Sequence, residues 1–263
     1  MTGIEAVLRR ERAVITAGLA AVVALAWVYL WQGAGMGMSA IDMTAASLFP
    51  HKQADVIGEM DSTWPVIIAM WCVMMIAMMT PSAAPLVLLY GRVLRHHAAP
   101  GQNAYLPSLL LLAGYLAVWF AFAVAAAALQ KALQPAGLLS PMMLWSKSAA
   151  LSAAVLCAAG LYQLSNLKHA CLAQCRSPAR FLTEHWRAGR FGSFMLGARH
   201  GVFCVGCCWM LMALLFVGGV MNLIWIAMLT LVVLVEKLAP AGATIGKLSG
   251  GLLIVWAGAT LLV

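Results

Sequence analysis

The chain has 263 residues, of which 64% are hydrophobic and only 9% charged, whereas a soluble domain carries about 25% charged residues. With a mean hydropathy of +0.94, that composition excludes an ordinary soluble fold and points to an integral membrane protein. The formal net charge of +8 reads as topology and contact with anionic lipid rather than nucleic-acid binding, because no basic stretch is interleaved with base-stacking aromatics.

Apolar runs of about twenty residues, the length that crosses a bilayer, recur about seven times, at roughly 13–31, 64–90, 105–130, 142–166, 193–217, 219–236 and 244–263. The expected fold is all-α, a polytopic transmembrane helical bundle forming one domain over residues 1–263, since the spans must pack together to hide their polar groups. Arg9, Arg10 and Arg12 precede the first run. That run is longer than a signal-peptide core, and Gly33-Ala34-Gly35 is only a loose cleavage match, so the first span is expected to be retained. After it come Met36, Met38 and Met60 and a polar segment with Asp42, His51, Asp55, Glu59 and Asp61, read as a solvated outer loop.

The second span carries the densest part of a methionine content of 17. Met70, Met74 and Met78 fall on one helix face and Met75 and Met79 on another. Pro81 and Pro85 lie in the same span, and each removes a backbone donor and crowds the preceding turn, so a kink or break is expected there. Beyond the fourth span, Cys171 and Cys175 are spaced to share a face in a large loop, with Lys168 and His169 before them and Pro178 after. Pro178 disfavours helical continuation, and the positive charges of Lys168 and Arg176 favour the metal-binding thiolate form.

In the fifth span His200, Cys204, Cys207 and Cys208 fall within an arc of about 100° at 100° per residue. One helix can thus aim an imidazole and two or three thiols at a common neighbour, and Gly201 and Gly206 would let that neighbour approach. Gly218-Gly219 is the expected turn to the sixth span. That span ends in Glu236-Lys237, where Glu236 orients His200 or compensates a nearby positive charge, or forms an interfacial ion pair.

Orientation follows from the basic residues. With the N-terminus in the cytoplasm, thirteen of the sixteen lysines and arginines fall on the cytoplasmic side and three outside, which gives N-in and C-out. The thiols then lie near the cytoplasm, where they stay reduced, and an odd total of seven cysteines argues against a closed disulfide framework.

Soft thiolates and thioethers suit Cu(I). The expected metal ligands are Cys171, Cys175, His200, Cys204, Cys207 and Cys208, with Met70, Met74 and Met78 as a weaker track. Zinc is the second candidate for the thiol and imidazole set. Phosphate-binding glycine loops, nucleophile elbows and zinc-protease pairs are missing from the sequence, so catalysis is not the favoured reading. The expected role is transport, delivery or holding of Cu(I), with the bilayer, the metal ion and a metal-accepting membrane or periplasmic protein as partners and no nucleic acid. Two alternatives stay open. One is a membrane thiol–disulfide oxidoreductase built on the Cys204–Cys207 C-x-x-C pair; the other is a non-catalytic scaffold for assembling a membrane complex.

Several blocks occur together in order: MMTPSAAP from Met78 to Pro85, YQLSNLK from Tyr162 to Lys168 followed by CLAQCRSP from Cys171 to Pro178, GARHG from Gly197 to Gly201, CVGCCW from Cys204 to Trp209, GVMN from Gly219 to Asn222, and Glu236-Lys237. This set resembles a bacterial family of predicted metal-binding integral membrane proteins, a domain of unknown function. The resemblance implies an inner-membrane location and a metal-binding role. Ser165 and Asn166 depart from the Ser-Pro expected in that pattern, which bears on the local turn.

Overall fold

The computed structural model describes residues 3–34, 44, 63–97, 105–139 and 146–262. Met36, Met38, Met60 and the polar loop around Asp55 lie outside the described residues. The described chain is helical throughout: α1 (Gly3–Trp31), α2 (Trp64–His97), α3 (Tyr105–Leu133), α4 (Ala149–Leu164), α5 (Asn166–Arg176), α6 (Pro178–His185), α7 (Gly189–Ala213), α8 (Leu215–Gly218), α9 (Leu223–Leu238) and α10 (Gly242–Leu262). Among the described residues five helices are long and apolar enough to cross a membrane, or six if the bent pair α4–α5 counts as one. The expected count was about seven. The difference falls first on α9, whose 16 residues extend about 24 Å at 1.5 Å per residue, short of a hydrocarbon core of about 30 Å.

The second difference is at the fourth span, expected over 142–166. Helix α4 stops at Leu164, and α5 leaves it at 63°. Ser165 is the elbow: it closes α4 by donating from its hydroxyl to the Tyr162 carbonyl and opens α5 by accepting from the Lys168 amide, so the backbone groups freed by the bend are satisfied. Cys171 and Cys175 are therefore on a helix, not in a loop. That helix ends at Arg176, and Pro178 occupies the first position of α6, where a missing N–H costs nothing.

Helix α2 runs through Pro81 and Pro85 without the break that was one of the two expected outcomes, a kink being the other. Ser82 and Tyr115 hydroxyls both donate to the Met79 carbonyl in this stretch, side-chain bonds of the kind that let a proline-containing span persist. α2 is the most enclosed span, with 61% of its central window buried against 17% for α1. It packs between α1 and α3, touches α9, and its methionines form the core with Trp71, Tyr115 and Trp119. α3 lies along α7 and α10 along α4. The α3–α7 contact is backbone to backbone: a Cβ at Gly197 would fall 1.8 Å from the Leu111 carbonyl oxygen, so only glycine fits. The outward faces carry apolar residues such as Leu25, Leu109, Leu231 and Leu252, which suits lipid.

Candidate metal centre

Helix α7 turns its thiols inward, and four neighbours meet them: α2, α3, α5 and α9. His200, Cys204, Cys207 and Cys208 are all buried, as their shared arc requires. Cys204 is the centre. Its Sγ lies 2.8 Å from Lys237 Nζ on α9 and 3.1 Å from the Tyr115 hydroxyl on α3. Lys237 also donates to Ser82 Oγ at 3.1 Å. Cys208 points at α2, 3.9 Å from Met79 Sδ, and Cys207 points at α5, 3.9 Å from Cys175 Sγ. All seven cysteines are free thiols.

Cys171 sits one turn away from this group. It covers Gly206, where an added Cβ would come 2.9 Å from its Sγ; the Tyr162 hydroxyl bonds the Gly206 carbonyl beside it. The small residue at 206 is what lets α5 close onto α7. His200 packs edge-on against Phe181, with ring centroids 5.0 Å apart, and tilted against Tyr115 at 5.9 Å. Its Nδ1 is buried without a hydrogen-bond partner among the described residues.

Several expected contacts are redistributed. Glu236 does not orient His200; it compensates a nearby positive charge, that of Lys168 and not of Lys237, its carboxylate holding Lys168 Nζ at 2.5 Å and Gln163 Nε2 at 2.7 Å. Successive residues on a helix diverge by about 100°, so Glu236 faces α4 and α5 while Lys237 faces the thiols. Lys168, expected to support the Cys171–Cys175 pair, is thus committed to Glu236. Arg176 donates to the carbonyls of Ala239 and Pro240, closing the end of α9. The cation at the thiols is Lys237.

Met70, Met74 and Met78 are buried on α2 together with Met75 and Met79. The thioether that meets a thiol is Met79, on the other face from the expected three. Sequence reasoning also passed over Tyr115 and Ser82. A tyrosine in an apolar span is a signal that could have raised Tyr115, since a buried phenol needs a partner. Among the described residues no three His, Cys, Asp or Glu side chains are grouped so as to hold a metal ion by themselves. What the structure assembles is a thiol–thiol pair, Cys175–Cys207, and a thiol–thioether pair, Cys208–Met79, on either side of the Cys204–Lys237 contact.

Buried sulfur donors of this softness, in an all-helical protein with apolar spans, define a candidate site for a soft metal ion. Residues 68–260 match the PpoB2 family, described as copper chaperone, and the chain belongs to that family. No curated protein and no solved structure matches it.

Proposed function

We propose that this protein is an integral membrane Cu(I) chaperone in which Cys204, Cys207, Cys208 and Cys175, with Met79, hold the metal as cargo. The observation that carries this is the placing of the Cys175–Cys207 thiol pair and the Cys208–Met79 thiol–thioether pair on either side of Cys204, in a member of a copper chaperone family. His200 stands one turn away with a free ring nitrogen and is the reserve ligand. Cys171 and Cys175, on the outermost layer of the site, form the exchange pair through which copper enters or leaves. Met70, Met74 and Met78 continue the sulfur donors along α2 as a weaker track.

Charge explains the presence of Lys237. Metal binding needs deprotonated thiols, and an unpaired anion in an apolar interior is costly. The Lys237 ammonium, 2.8 Å from Cys204 Sγ, supplies the opposite charge for one thiolate. A second thiol then exchanges its proton for Cu(I), one positive charge for another, and the buried site keeps its net charge throughout.

The excess of basic residues on one side of the spans supports an N-in orientation in a bacterial inner membrane. The site then opens to the cytoplasm, and the acceptor is a membrane or periplasmic copper protein. The 3.9 Å Cys175–Cys207 contact also favours a second reading, thiol–disulfide exchange, in which those two sulfurs would bond on oxidation.

Elemental analysis of protein purified without oxygen separates the two. Copper that co-purifies with wild type and is lost from the Cys204, Cys207 and Cys208 to serine variant supports the chaperone. A metal-free protein that traps a mixed disulfide with a partner supports exchange and refutes the copper site.

A further inference from the structure

The opposite side of α7 carries a second feature that the thiol cluster does not use. A cavity of about 310 Å³ opens between α7 and the segment after α6. Met195, Leu196, Ala198 and Val202 form its apolar floor, while Arg187, Arg199 and His185 stand at its edge. Residues 195, 198, 199 and 202 share one helix face, turned roughly half a revolution from Cys204, so this groove is separate from the sulfur site. Both arginines are exposed. Among the described residues neither guanidinium has a carboxylate partner, the ion pairs being Lys168–Glu236 and Arg180–Glu184. The His185 ring is held by its Nδ1 contact with the Phe181 carbonyl, 3.0 Å, and by stacking on the Phe181 ring.

The depth of the groove identifies its surroundings. The span Gly189–Gly218 has 30 residues, about 45 Å of helix, and a hydrocarbon core takes about 30 Å. With its last twenty or so residues in the core, Arg199 sits at the boundary and the turns before it lie among headgroups. Trp186 and Phe191, 41% and 72% exposed, mark the same level, as interfacial aromatics do.

We infer that this groove binds an anionic phospholipid, its phosphodiester held by Arg187 and Arg199 and an acyl chain laid along Met195, Ala198 and Val202. An arginine pair matches a phosphate; apolar floor and interfacial depth match the tail of the same molecule. A zwitterionic lipid would bring its own cation against the two guanidiniums and is disfavoured.

Native mass spectrometry of the full-length protein, exchanged from vesicles of equal phosphatidylglycerol and phosphatidylcholine, tests this. Wild type retains phosphatidylglycerol in preference to phosphatidylcholine. The R187Q/R199Q double variant loses about thirtyfold in phosphatidylglycerol affinity, as expected for two basic residues near the surface, with unchanged helix content and copper stoichiometry. R190Q, which removes an exposed arginine of the same helix outside the groove, leaves retention within about twofold of wild type. Equal retention of the two lipids, an R190Q loss equal to that of the double variant, or undiminished phosphatidylglycerol binding by the double variant would overturn the assignment. Displacement of the lipid by inorganic phosphate or by polyglutamate would assign the groove to a free anion or an acidic protein segment and overturn it equally.

Discussion

Replacing Lys237 with methionine tests the charge argument directly. The substitution keeps a chain of similar length and removes the ammonium that lies 2.8 Å from Cys204 Sγ and 3.1 Å from Ser82 Oγ. A buried ion pair is often replaced by apolar residues with little loss of stability, but a charge left buried without its partner costs about 3–5 kcal/mol. In K237M the metal-free site avoids this by keeping Cys204 protonated, and the cost appears when Cu(I) binds. Taking about 3 kcal/mol at about 1.4 kcal/mol per tenfold, Cu(I) affinity falls by a factor of about 10².

The pH dependence changes with it. Metal binding to wild type releases one proton, so the logarithm of the affinity rises by about one per pH unit; K237M must release two, and its slope rises to about two. Anaerobic competition titrations against a chromophoric Cu(I) chelator at several pH values read both quantities. K237R keeps the charge and restores a slope near one. An affinity within a factor of about three of wild type in K237M, with an unaltered slope, would refute the role given to Lys237.

Cys175→Ser and Cys207→Ser each weaken Cu(I) binding at least tenfold, and the double variant is little worse than either, because the two sulfurs form one contact; Cys171→Ser, whose thiol covers Gly206, costs less than threefold in the same titration. Gly197→Ala lowers thermal stability by about 1–3 kcal/mol, read as a drop in Tm, since its methyl would enter the Leu111 carbonyl. Glu236→Gln strands the buried Lys168 ammonium and destabilises by about 3–5 kcal/mol, while Glu236→Gln with Lys168→Met recovers most of the loss; a Tm for the single variant equal to wild type would remove the structural role of this pair.

Composition and run length made the helical, apolar character of the chain legible, and residue spacing made the inward face of α7 legible, because both depend on neighbours in sequence. Pro178 likewise marked the end of α5 correctly. What stayed hidden depends on which surfaces meet. Spacing showed two methionine faces on α2 but not that the Met79 face turns to α7. That Glu236 compensates a nearby positive charge was legible, but not that the charge is Lys168 while α9 sends Lys237 to the thiols. The elbow at Ser165 falls at the expected end of the fourth span; what stayed hidden is that the polar run after it, Asn166–Arg176, continues as a helix and not as a loop. The sixth span, expected over 219–236, begins as helix only at Leu223, because the apolar run does not reveal that the Gly219–Asn222 connection is non-helical.

The close fit of Gly197 on Leu111 has a dynamic implication. Two rods locked main chain to main chain cannot slide past each other, so Tyr115 and Cys204 travel as one slab. Cys175, in contrast, rides on α5, which is pinned to α9 by Lys168–Glu236 and by Arg176 on the Ala239 and Pro240 carbonyls. Because α9 also carries Lys237, a shift of Cys175 against the slab takes the ammonium with it, so the thiol pair and its counter-charge rearrange together.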